Sequence, residues 1–141
     1  MRVMVLVKAT ERSEAGEMPS MDELNAMGKF NAELVEAGIM LAGEGLRESS
    51  HGKRVRFGDD KSATVLDGPF AETKELVSGF WVWEVASMDE AMEWLKRAPL
   101  VDTTVEVRPV FEAEDFGDNF TPEMQAEEQK LRDRMESQHG A

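Results

Sequence analysis

From residue 3 the apolar and polar positions begin a regular succession of periods, opening with Val3 to Val7, a nearly continuous apolar run of strand length that suits a central strand. Residues 9–19 are polar, contain Gly16 and Pro19, and read as a loop lying over the end of that strand. Ser20 and Glu23 have capping-box spacing. Leu24, Met27, Phe30, Leu34 and Ala37 then recur at helical intervals until Gly38, a natural C-terminal stop. One face of that helix must be buried.

Ile39 to Leu46 resume an extended pattern broken by Gly43 and Gly45, where missing side chains allow a bulge or the close approach of another group. Arg54 to Phe57 and Ser62 to Leu66 alternate around Gly58-Asp59-Asp60-Lys61, the pattern of a hairpin with a polar turn. Leu76 to Val85 is rich in aromatic and β-branched residues and predicts an interior strand, with Phe80 and Val82 facing opposite to Trp81 and Trp83. A second cap pair, Ser87 with Glu90, opens a helix carrying Ala91, Trp94, Leu95 and Ala98, with Lys96 and Arg97 near its negative end and Pro99 beyond. Thr104 to Phe111 is a final alternating strand. The order strand, helix, two or three strands, helix, strand predicts an α+β fold: a ferredoxin-like antiparallel sheet with two helices on one face. An open sandwich with another strand order is the competing arrangement.

The segment from residue 112 differs in kind. It holds nine acidic and three basic residues and so carries six of the chain's thirteen net negative charges. Thr121-Pro122 is a good helix start, acidic residues come early, and Lys130, Arg132 and Arg134 come late, the order the helix dipole favours. Residues 1–111 therefore read as one α+β domain and 112–141 as an acidic C-terminal extension, helical from about 121. Its apolar stripe is thin, chiefly Met124, Leu131 and Met135, so this helix either leans on the body or a second subunit or stays solvated.

Composition narrows the function. A net charge of −13 repels phosphate backbones and anionic lipid, which argues against nucleic-acid and membrane partners and for a small molecule or a protein. With no cysteine there is no disulfide, thiolate nucleophile or Cys-ligated metal. The N-terminal apolar run is too short for a signal h-region or a membrane span, so a cytoplasmic location is expected. His51 and His139 lack a second histidine at ligand spacing, and the glycines fit no phosphate-cradling motif; no metal and no cofactor are expected. Ser49-Ser50-His51 reads as an ordinary polar loop rather than part of a triad.

The chemistry concentrates in Asp67-Gly68-Pro69-Phe70-Ala71-Glu72-Thr73-Lys74-Glu75. Pro69 fixes its own φ and restricts Gly68, making a stiff turn that can aim the Asp67 carboxylate. Pro69 has no amide hydrogen, so Asp67 must either brace the amides near Phe70 and Ala71 or face a cavity. If the chain is extended, Glu72 and Lys74 share a side, and carboxylates beside a lysine suit acid–base chemistry; salt bridging in a loop is the competing reading. Trp81, Trp83 and Trp94 serve a pocket, an interface or the core.

Together with Gly43-Glu44-Gly45-Leu46, Gly79-Phe80-Trp81 and Arg108-Pro109-Val110, this motif resembles the DGPF-domain branch of the YCII-related proteins, over about residues 1–111. The resemblance implies a bacterial protein with a ferredoxin-like domain that pairs into a homodimer of the dimeric α+β barrel type, often encoded beside extracytoplasmic-function sigma factors. Some YCII relatives are described as enzymes acting on small cyclic compounds through a His–Asp pair. No histidine precedes residue 51 here, so only the aspartate carries across, as Asp67. The expected catalytic residue is thus Asp67, with Glu44, Phe70, Glu72, Lys74, Trp81 and Arg108 as ligand-pocket candidates. The function expected is small-molecule binding or acid–base catalysis; the alternative is a non-catalytic regulatory module engaging a protein, such as a transcription component.

Overall fold

A computed structural model describes residues 1–140. The chain divides into two compact units, Met1–Pro109 and the remainder from Val110.

In the first unit, β1 (Arg2–Lys8) leads through the single turn α1 (Glu11–Glu14) to α2 (Met21–Glu36) and β2 (Met40–Gly45). A hairpin of β3 (Lys53–Phe57) and β4 (Ala63–Asp67) follows, then β5 (Val77–Glu84), α3 (Met88–Leu95) and β6 (Val105–Pro109). The four-stranded sheet has the order β2-β5-β1-β6, with every neighbouring pair antiparallel. With the β3–β4 pair set aside, this is the strand-helix-strand-strand-helix-strand order of a ferredoxin-like domain.

The helices begin where side chains replace missing backbone partners. Ser20 accepts the Glu23 amide while Glu23 accepts the Ser20 amide, a reciprocal cap at the start of α2. Ser87 likewise accepts the Glu90 amide, but the Glu90 carboxylate reaches Ala86 rather than Ser87. Gly38, at φ +73°, ends α2 in the left-handed region that glycine enters freely. The loop expected between residues 9 and 19 contains α1, capped by Thr10 and held to the start of α2 by two Arg12–Glu23 hydrogen bonds of 3.2 and 2.8 Å.

Both longer helices cover one sheet face. Phe30 and Leu34 from α2 and Ala91 from α3 pack with Val3, Val5, Trp81, Trp83 and Val85 into the buried core. The antiparallel register pairs Val3 with Trp83 and Val5 with Trp81, so these four side chains stand on the same face. Gly43 lies opposite Trp81, and a Cβ there would fall 2.7 Å from the indole Cδ1, so the absent side chain admits the ring. The Trp81 indole N–H donates to Asn31 Oδ1 at 2.9 Å. That of Trp83 is buried without an acceptor, a desolvation cost of ~1–3 kcal/mol set against its edge-on packing with Phe30.

The opposite face carries the alternate residues. Across the sheet run the rows Ala42-Val82-Met4-Arg108 and Glu44-Phe80-Leu6-Glu106. Half-buried Met4, Leu6, Phe80 and Val82 form its centre, and charged residues occupy its edges.

The β3–β4 hairpin forms a two-stranded sheet of its own, outside the main sheet. Nine of its ten strand residues are exposed; one face carries Lys53, Val55, Phe57, Ala63, Val65 and Asp67, and the other Arg54, Arg56, Thr64 and half-buried Leu66.

The second unit holds α4 (Pro122–His139), started by Thr121, whose hydroxyl accepts the Met124 amide, and by Pro122 in the first turn. Phe111, Phe116 and Phe120 stack in sequence with centroids 4.9 and 5.5 Å apart. The polar face of α4 is laced by Lys130–Glu127 and Arg132–Glu128 pairs, while Met124, Leu131 and Met135 are exposed.

Candidate functional site

The motif turn is built from three segments distant in sequence. After β2 the chain makes a 3-10 turn, Ser49–His51, then reaches Gly52, whose carbonyl accepts the Gly68 amide at 3.0 Å. The Ser49 hydroxyl donates to Glu14 Oε2 at 2.5 Å and accepts the Phe70 amide at 3.0 Å. The Ser49 amide donates to Glu14 Oε1 at 2.9 Å. One carboxylate on α1 therefore grips both the backbone and the side chain of Ser49, and Ser49 in turn holds the turn that follows β4.

Gly68 is required by close approach. A Cβ at this position would lie 1.8 Å from the Ser49 carbonyl oxygen, inside any real contact distance. The peptide between Gly68 and Pro69 is cis.

Asp67 ends β4 opposite Lys53, and its carboxylate is ion-paired with the Lys53 ammonium. The Asp67 side chain is 75% exposed. Of the two roles the sequence leaves open, bracing of its own turn is filled by another residue: the Phe70 amide goes to Ser49 rather than to Asp67. The carboxylate consequently stands on an open surface, where an ion pair adds little to stability.

The other candidates fall in separate places. Phe70 is half-buried beneath the Arg54 guanidinium, whose central carbon lies 3.9 Å from the ring centroid. Glu72 and Lys74 are exposed, and the chain forms a 3-10 turn over Thr73–Glu75, so the strand-like sharing of a side expected for these two does not hold. Glu44 and Arg108 lie on the open sheet face, on its two edge strands, with Arg108 3.8 Å from Glu106. Trp81 belongs to the opposite, helix-covered face and is 5% exposed.

Sequence reasoning passed over Glu14 and Glu48 and set His51 aside as part of an ordinary polar loop. His51 Nε2 lies 3.0 Å from Glu48 Oε1 and 3.2 Å from the Arg47 guanidinium, so an imidazole, a carboxylate and a guanidinium meet two residues from Lys53. The Glu48 carboxyl is held below its ordinary range, first by a hydrogen bond from its own main-chain amide, with His51 and Arg47 adding to the effect and burial opposing it. The only local signal was the short spacing of Arg47, Glu48 and His51. Glu14 gave none, being 35 residues from its partner. Among the described residues no three His, Asp or Glu side chains converge as a metal site requires, and no helix is long and apolar enough to cross a membrane.

Known proteins were then compared with the chain. An uncharacterised protein of Rhizobium meliloti (strain 1021) is 47% identical over 49 residues, which are 33% of this chain and 40% of that protein, so the shared stretch spans less than half of the relative. Among solved structures, 5-chloro-2-hydroxyhydroquinone dehydrochlorinase of Burkholderia phenoliruptrix AC1100, in complex with 2,5-dihydroxybenzoquinone, is similar at 18% identity, covering 84% of this chain and 100% of that one with a TM-score of 0.40. The YCII-related domain matches residues 1–114, which take in every element from β1 to β6. The chain belongs to the YCII-related domain family.

Proposed function

We propose that this protein is a cytoplasmic, homodimeric member of the DGPF branch that binds a small molecule at the turn after β4 and acts on it by acid–base chemistry, with Asp67 as the proton-transferring group. The observation that carries this reading is the division of labour between Ser49 and Asp67. Ser49 braces the turn through the Phe70 amide, which leaves the Asp67 carboxylate with an exposed lysine partner and open to a ligand. Glu48 and His51 place a carboxylate and an imidazole 3.0 Å apart on the segment that carries Ser49. Phe70 offers an apolar surface for the ligand, and Glu72 and Lys74, on the segment that follows it, are assigned to orienting roles.

The homodimer is proposed through the open sheet face, where Met4, Leu6, Phe80 and Val82 have no covering layer within the first unit.

Asp67→Asn tests the catalytic reading. A metabolite panel screened by thermal shift should give a ligand whose stabilisation grows with concentration, and the variant should lose any turnover of that ligand by about 100-fold or more while folding normally. Unchanged turnover in the variant removes Asp67 from the mechanism.

A separate observation favours the alternative, a non-catalytic regulatory module that engages a protein associated with an extracytoplasmic-function sigma factor. The acidic region from Val110 is a compact unit of its own, and three large apolar side chains of α4 are exposed on it. Capture of a partner that disappears when residues 110–141 are removed supports that reading; undiminished capture excludes this unit as the contact.

A further inference from the structure

β3 presents Arg54 and Arg56 two residues apart, so both guanidinium groups leave the same side of the hairpin, roughly 6–7 Å apart along the strand. Leu66 and Thr64 stand opposite them on β4. The other side of the hairpin carries Lys53, which Asp67 neutralises. Neither arginine has a carboxylate partner among the described residues, although the chain holds 29 acidic residues to 16 basic ones. Elsewhere arginines on the body take carboxylates: Arg12 with Glu23, Arg97 with Glu33, Arg108 with Glu106. Two adjacent guanidinium groups without an internal anion make a positive spot on a strongly negative molecule.

Arg54 is also anchored. Its guanidinium carbon lies 3.9 Å from the Phe70 ring centroid, a cation–π contact that localises a group able to meet a planar or tetrahedral oxyanion with two parallel hydrogen bonds. The Thr64 hydroxyl, across from Arg56, adds a third donor on the same side. The chain's charge of −13 resists an extended polyanion, so the spot suits a small one.

We propose that the Arg54–Arg56 face, with Phe70 and Thr64, is a binding site for the oxyanion of a small molecule, a carboxylate or a phosphate monoester, with the ligand's apolar part against Phe70 and Leu66. That this anion belongs to the substrate rests on the small-molecule reading above; the existence of the anion site does not depend on Asp67.

The test is an NMR titration of the full chain at pH 7 and constant ionic strength, with inorganic phosphate in one arm, acetate in the second and chloride as the control. Saturable shifts of the backbone amide signals of β3 and β4 in either oxyanion arm, with the affinity weakened at least about tenfold in the R54Q/R56Q double variant, support the site, and the arm that responds identifies the oxyanion class. Shifts no larger than those with chloride, or shifts that survive in the double variant, overturn it. Circular dichroism of the double variant confirms that these exposed substitutions leave the fold intact. D67N separates the two readings: anion binding persists in it if the Arg face is right, whether or not turnover is lost.

Discussion

At the scale of single residues, the turn after β4 depends on Gly68 more than on the charged side chains around it. Any larger residue drives a Cβ into the Ser49 carbonyl, and neither partner is the end of a flexible chain. Gly68→Ala should therefore destabilise the protein at or beyond the upper end of the ~1–3 kcal/mol typical of overpacking, visible as a lowered denaturation midpoint; a change below about 0.5 kcal/mol would mean that the turn relaxes freely. Titrating side chains give a second expectation. Glu23 is held below its ordinary range chiefly by Arg12, Glu48 by its own amide, and Asp60 by Ser62. Each of these carboxyls has a lower pKa folded than unfolded, so its stabilisation is complete above the unfolded value and is lost as pH falls through the folded one. The melting temperature should stay level on the alkaline side of the carboxylate range and drop below about pH 4. Arg12→Gln should flatten that drop by removing Glu23's share.

At the scale of elements, the caps are the clearest link between sequence and structure. Ser20→Ala removes one side of a reciprocal cap and should cost about 1 kcal/mol, measured by urea denaturation, while Ser20→Asp should be tolerated because an aspartate accepts the same amide. Caps, the Gly38 stop and the alternation of Phe80-Trp81-Val82-Trp83 were legible because each depends on neighbours within four residues. That is why the α+β order, the strand boundaries near Val77 and Val105 and the shared face of Trp81 and Trp83 could be read directly, whereas the choice of core over pocket or interface for the two rings needed the packed helices. The separation of β3–β4 from the main sheet was not legible, since a hairpin's alternation says nothing about which sheet it joins. Nor was the hold of Glu14 on Ser49, which spans 35 residues and needs the fold before it exists. The motif marked a stiff turn, but its Phe70 amide is held by Ser49, which local spacing reads as an ordinary polar loop residue.

At the scale of the whole molecule, the first unit has one covered and one open sheet face. Covering the open face with a second copy would bury the Met4, Leu6, Phe80 and Val82 side chains and bring the charged edges of the two sheets into register. Light scattering should give twice the 15.8 kDa chain mass at micromolar concentration, and Phe80→Glu, which places a charge in the centre of the Glu44-Phe80-Leu6-Glu106 row, should give the single mass. A monomeric parent protein would rule the interface out.

The excursion that bears β3, β4 and the motif leaves the sheet after β2 and returns at β5, its immediate neighbour, and the Leu46 amide donates to the Ser78 carbonyl at 2.8 Å across the gap. Departure and re-entry are thus stitched together by the scaffold itself. The β3–β4 hairpin between those two points can be lengthened, trimmed or rewritten without touching the packed face of the sheet, so this excursion is free to diverge faster than the scaffold that carries it.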